Sequence, residues 1–177
     1  QLDDRSIART TGDAWELSLP TPGTANGPAE ALGPVSAVRL NEWAGNTRYR
    51  LSDDFVELYN PSTLPVPLAG LRLTDDMASY PARHEFPPLS FIAGSGFLEL
   101  NADGDAAAGA DHLSFKISRI RDAIALLDPS GNLVDNVIVL PGNPDVSQGR
   151  TPDGSVTTTY LALPTPGFSN GSDLTGD

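Results

Sequence analysis

Short runs in which apolar and polar residues alternate recur along the chain, and none keeps a helical period. Val38-Arg39-Leu40-Asn41-Glu42-Trp43 alternates in this way, the pattern of a strand with one face in a core and one in water. Asp54-Phe55-Val56-Glu57-Leu58-Tyr59 repeats it and is stopped by Asn60-Pro61-Ser62, residues that favour turns. Leu71-Arg72-Leu73-Thr74, Phe97-Leu98-Glu99-Leu100, residues 115–117 and Ala123-Ile124-Ala125-Leu126-Leu127 follow. Beyond the turn Asp128-Pro129-Ser130-Gly131-Asn132, residues 133–140 return as a hairpin partner. Spacings of roughly 8–15 residues predict about seven to nine short strands in an all-β sandwich with immunoglobulin-like layering.

One stretch of sequence occurs twice. Residues 6–27 end in Leu19-Pro20-Thr21-Pro22-Gly23 and Asn26-Gly27; residues 147–171 end in Leu163-Pro164-Thr165-Pro166-Gly167 and Asn170-Gly171. Arg9-Thr10 matches Arg150-Thr151, with three residues inserted in the second copy. Residues 38–146 have no second copy. A period of roughly 140 residues is too long for a solenoid and suits an array of bead-like domains. The organisation expected is therefore a 1–27 segment resembling the end of a preceding repeat, a 28–37 linker, a 38–171 sandwich and a 172–177 tail.

Composition narrows the class. The chain has 177 residues, 39% of them apolar, enough for one core. Its 17 Gly and 16 Pro favour strands and turns. Without cysteine there is no disulfide framework, thiol nucleophile or Cys-ligated metal. A net charge of −12 repels phosphate backbones and anionic lipids, so nucleic acid is not an expected partner. Apolar runs long enough to span a bilayer are missing from the sequence. Gln1-Leu2-Asp3-Asp4-Arg5 is no signal peptide, so a leader is expected to have been removed or to lie upstream.

Several segments form one ordered pattern. They begin with Leu40-Asn41-Glu42-Trp43, residues 54–62 and Leu68-Ala69-Gly70-Leu71-Arg72-Leu73-Thr74-Asp75-Asp76. Ile92-Ala93-Gly94-Ser95-Gly96-Phe97, the Ala102-Asp103-Gly104-Asp105 loop, His112-Leu113-Ser114-Phe115-Lys116-Ile117 and Ala125-Leu126-Leu127-Asp128-Pro129 continue it. Leu133-Val134-Asp135, residues 145–150 and Pro164-Thr165-Pro166-Gly167 complete it, and the whole pattern over 38–170 resembles a bacterial lamin-tail domain. The resemblance implies an immunoglobulin-like sandwich of the lamin-tail type, used as a non-catalytic module in large secreted or surface proteins.

Candidate chemistry is sparse. Asn101, Asp103 and Asp105 place oxygens at alternate positions around Gly104, as in the first half of a Ca²⁺ loop, but lack its distal bidentate glutamate. Asp75-Asp76 and Asp53-Asp54 could add ligands from neighbouring loops. The alternative is that these residues simply make turns. His84 and His112 are the only histidines; His112 is expected to bond loop backbone beside Asp103 and Asp105. Glu42 and Glu57 could be read as a glycosidase-like pair, although a strand's wet face is the plainer place for them. Trp15, Trp43, Tyr49, Tyr59, Tyr80 and Tyr160 could stack on a sugar; alternation instead puts Trp43 and Tyr59 in the core.

The expectation is a non-enzymatic module of a bacterial extracellular or cell-surface protein. Its expected partners are neighbouring copies or domains of the same protein, without nucleic acid or membrane insertion. Two alternatives stay open: a fibre subunit joined by exchange of the N-terminal strand, and an accessory glycan- or surface-binding domain of a secreted hydrolase.

Overall fold

Alternating sequences become strands because each can bury one row of apolar side chains on a shared layer. The computed structural model describes residues 2–10 and 13–171; the 172–177 tail read from the sequence lies outside them. The strands are β1 (Ser6–Arg9), β2 (Trp15–Ser18), β3 (Arg39–Ala44), β4 (Phe55–Tyr59), β5 (Val66–Pro67), β6 (Arg72–Thr74), β7 (His84–Glu85), β8 (Phe91–Ile92), β9 (Phe97–Asn101), β10 (Asp122–Leu127), β11 (Leu133–Val139), β12 (Ser147–Arg150) and β13 (Thr158–Leu161). A five-stranded sheet runs β13-β12-β3-β4-β9 and a four-stranded one β11-β10-β6-β7, with small pairs β5-β8 and β1-β2. All the strand pairings are antiparallel. The all-β immunoglobulin-like sandwich expected from the sequence is present.

The inner rows interleave, by alternation along β4, β10 and β11 and through an irregularity at Asn41 on β3. Leu40 and Trp43 of β3, Val56 and Leu58 of β4, and Leu100 of β9 meet Leu73 of β6, Ile124 and Leu126 of β10, and Val137 and Val139 of β11 in one buried cluster. Residues 115–117 were read as a strand, but form only an isolated bridge, Lys116 to Asp103. Phe115 and Ile117 are buried in the core cluster all the same, so the apolar-polar-apolar signal reported burial without a ladder. In the 28–37 stretch, Gly33 donates to the Pro65 carbonyl at 2.7 Å and Val35 packs against the core.

One buried ion pair ties the two sheets. Arg150 on β12 places Nη2 2.9 and 3.0 Å from the Asp135 carboxylate oxygens on β11. Its Nε donates to the Leu40 carbonyl at 2.7 Å, and Asp135 in turn accepts the Leu40 amide at 2.9 Å. Every polar atom of this tie that lies between the sheets has a partner, the condition under which a buried pair fixes geometry rather than simply costing desolvation.

Candidate functional site

Glu42 and Glu57 sit opposite each other on β3 and β4 and point away from the core, yet neither exposes any surface. The wet face expected for them is in fact covered by residues 163–170, which leave β13, pass over β12 and reach β4. The Thr165 amide donates to both Glu42 oxygens, at 3.0 and 3.1 Å, and its hydroxyl donates to Oε2 at 2.8 Å. The Ser147 hydroxyl donates to Oε1 of the same glutamate. Glu57 accepts the Gly167 amide at 2.7 Å and the Asn41 side-chain amide at 3.0 Å.

Local sequence makes this closure, the latch, possible. Gly167 turns through φ +83°, a left-handed conformation that side chains disfavour, and so aims its N–H at Glu57. Asn41 occupies an irregularity in the β3–β4 register between Leu40 and Glu42; such a bulge re-aims a side chain. Asn41 thereby reaches both Glu57 and Asp153, the latter at 3.0 Å. Asn170 fastens the far end, donating to the Asn41 and Arg150 carbonyls at 3.0 and 2.8 Å. Asp153 accepts the Asn170 amide at 2.9 Å and the Ser169 hydroxyl.

Burial sets the protonation of the pair. Desolvation pushes Glu57 up to about 8, against the donors Asn41 and Gly167 and with Glu42 and Asp153 adding repulsion. Desolvation also raises Glu42, opposed by Ser147 and Thr165. Glu57 has fewer donors than Glu42 to offset its desolvation, so its carboxyl is the one pushed further up. Glycoside hydrolysis needs room for a sugar and a water between its carboxylates. Here that room is filled by Thr165 and Gly167 of the chain itself, and the arrangement fastens a segment.

The acidic loops bond internally. Asp103 accepts the Asp105 amide at 2.9 Å and pairs with His112 Nδ1 at 2.6 Å, and Asp105 accepts the Ala107 amide at 3.3 Å. Asn101 exchanges backbone bonds with Asp111 and Leu113. Asp75 is paired with Arg83, and Asp76 accepts the Ser79 amide at 2.9 Å; Asp54 accepts the Thr47 amide and hydroxyl. Among the described residues, no three or more His, Cys, Asp or Glu gather as a metal site would require. Asp145 fills a concavity of backbone amides from Arg48, Tyr49 and Arg50, which holds its carboxyl below the ordinary range.

His112 does lie beside the Asp103 loop, but its ring bonds the Asp103 carboxylate where loop backbone was expected. That bond raises His112, and Asp103 is lowered by the Asp105 amide and, after it, by His112. The pair's contribution to stability is complete above the ordinary Asp value of 3.8 and below the ordinary His value of 6.5. It is lost as pH rises through the raised His112 value or falls through the lowered Asp103 value. In an NMR titration His112 is expected to lose its proton above pH 6.5, and Asp103→Asn should return the midpoint toward 6.5. A parent midpoint at or below 6.5 would contradict the pairing.

The aromatic residues divide. Trp43 is 1% exposed and in the core. Tyr59, expected there, lies instead on the outer face, stacked on Phe97 with ring centres 4.7 Å apart. Its neighbour Leu58 takes the inward position, as strand alternation demands. His84 is buried edge-on to Phe86, and desolvation lowers it.

The Lamin Tail Domain family matches residues 28–139. The chain belongs to that family. Neither the curated proteins nor the solved structures gave a match. Lamin tail domains are immunoglobulin-like and in general serve as structural or interaction modules, a non-enzymatic role. The matched segment takes in β3 to β11 and stops before β12, β13 and the latch. The part of this lamin tail domain that sequence reasoning missed is the engagement of Glu42 and Glu57 by Thr165 and Gly167. The signal available was the recurrence of Pro-Thr-Pro-Gly itself, since a motif retained twice has a backbone geometry to satisfy.

Proposed function

We propose that this lamin tail domain is a non-enzymatic module of a bacterial secreted or cell-surface protein, working as one unit of a tandem array. The observation that carries the reading is the use of the Glu42–Glu57 pair as the keeper of a structural latch. The one carboxylate pair that the sequence offered for catalysis is thereby given to cohesion of the domain. The repeated closing segment supports the array, and the −12 charge supports solubility outside the cell without nucleic-acid or membrane partners. The partners are then neighbouring domains of the same protein.

A panel of polysaccharides incubated with the chain, and with its Glu42→Gln and Glu57→Gln variants, tests the non-enzymatic part. The expected result is no hydrolysis by any of the three. Hydrolysis by the parent that either variant abolishes would overturn the reading. Fractionation of the producing cells tests location, with the protein expected outside the cytoplasm; recovery in the cytoplasm alone would overturn that part.

A further inference from the structure

Residues 6–10 and 13–26 repeat the closing unit of the domain in structure, as residues 6–27 do in sequence. In both copies an antiparallel hairpin leads into the Pro-Thr-Pro-Gly segment. Gly23 turns at φ +80° as Gly167 does at +83°. The Thr24 amide donates to the Thr21 carbonyl at 3.2 Å, as Phe168 does to Thr165 at 2.9 Å. The Asn26 side chain donates to the Arg9 carbonyl at 2.9 Å, as Asn170 does to Arg150 at 2.8 Å. The hairpins differ by one place in register, Ser6 facing Ser18 where Ser147 faces Leu161.

What the first copy lacks is something to close. β12 pairs on its other edge with β3, Gln148 to Trp43 and Gly149 to Glu42, whereas β1 pairs with β2 alone. Thr165 is 1% exposed with its donors on Glu42, and Asn170 is 7% exposed. Among the described residues, the Thr21 amide and hydroxyl and the Gly23 amide make no hydrogen bond, and Asn26 is exposed. Among the described residues, the side chain of Arg9, the counterpart of the inter-sheet Arg150, reaches only Asp13 and Trp15 of its own hairpin. An open groove of about 470 Å³ lies along this face, lined by Ser6, Ala8, Trp15, Thr21, Pro22 and Asn26.

We propose that residues 6–26 are the closing hairpin of a second lamin-tail body, whose β3–β4 edge carries glutamates at the places of Glu42 and Glu57. This rests on the array reading above and names its contact. Thr21 would donate to the first glutamate, Gly23 to the second, and Arg9 would cross to an acid at the place of Asp135. The partner is not a second copy of this chain, because here the β3 edge and both glutamates are already occupied by residues 147–170. It is a lamin-tail body without a closing hairpin of its own.

The test joins residues 28–146 directly ahead of residue 6 in the otherwise unaltered chain, giving two bodies and two closing hairpins. The second body, closed by 147–170, is the internal control. The expected result is that both bodies fold, with exchange of the Thr21 and Gly23 amides slowed about a hundredfold relative to the single chain. Thr21→Val should lower the melting of the first body only. Ile7 replaces Gln148, whose side chain brackets Leu140, and Ala8 replaces Gly149. A companion chain carrying Ile7→Gln and Ala8→Gly therefore removes those mismatches. Closure in either version supports the proposal; an unfolded first body beside a folded second in both versions overturns it. Concentration-dependent oligomers of the unaltered chain that Thr21→Val abolishes would overturn the choice of partner, since the acceptor would then be a second copy. Hydrolysis dependent on Glu42 would sink the module reading alone, because closure is read from exchange and melting.

Discussion

Glu42→Ala is expected to destabilise the domain by roughly 3–5 kcal/mol, each buried donor left without an acceptor costing about 1–3 kcal/mol. Two donors lose their acceptor at once, the Thr165 amide and the Ser147 hydroxyl, and the Thr165 hydroxyl is left with Asn170 Oδ1 alone, at 3.1 Å. Thr165 and Ser147 are almost wholly buried, so water reaches them only if the latch lifts. Lifting then releases Gly167 from Glu57 and Asn170 from β3 and β12. Urea denaturation of parent and variant at one pH measures the loss, and a change under 1 kcal/mol would show that the latch contributes little. Glu42→Gln keeps one acceptor oxygen and should fall between the two.

Stability should decline as pH rises from about 4.5 toward 8, the reverse of the trend in proteins held by ionised carboxylates. Glu57 moves from an ordinary value of 4.5 to about 8 on folding. Between those values the native state binds more protons than the unfolded chain, so each rise in pH favours unfolding. The contribution is whole below 4.5 and gone above about 8, with a slope of up to about 1.4 kcal/mol per pH unit for one proton. Glu42, also raised, acts in the same direction. Asp76, Asp103, Asp128 and Asp145 are lowered, so their contribution fades as pH falls below the ordinary Asp range. The maximum should therefore lie on the acid side of neutrality. Glu57→Gln, a neutral side chain of the same shape, should flatten the decline above pH 4.5; an unchanged slope would show that Glu57 is ionised in the native state.

The inner layer was legible because its signal is local. Val56 and Leu58 alternate within β4 and declare its buried row, while Leu40 and Trp43, three places apart, share the inner face of β3 only through the irregularity at Asn41. The outer layer is decided by residues more than a hundred positions away, as Thr165 to Glu42 shows, and no periodicity carries that information. The expected solvent face is the outer row for both glutamates, reached by alternation for Glu57 and through the Asn41 bulge for Glu42, but neither is in water. Alternation also gave Tyr59 to the core, although Leu58 beside it already fills the inward place. The Asp103–Asp105 loop was ambiguous for another reason: ligation and turn formation use the same oxygens. Here the His112 ring and the Asp105 amide bond Asp103, and the Ala107 amide bonds one oxygen of Asp105. The repeated Leu-Pro-Thr-Pro-Gly was visible from the start, but its purpose was not, because the acceptors on β3 and β4 share no motif with it.

The path of the latch over β12 to β4 has a mechanical consequence. A pull at residue 171 meets Asn170, anchored to both β3 and β12, before it reaches the edge strand β13. Tension thus enters through bonds in the middle of the five-stranded sheet, and β13 is shielded from being peeled away one hydrogen bond at a time.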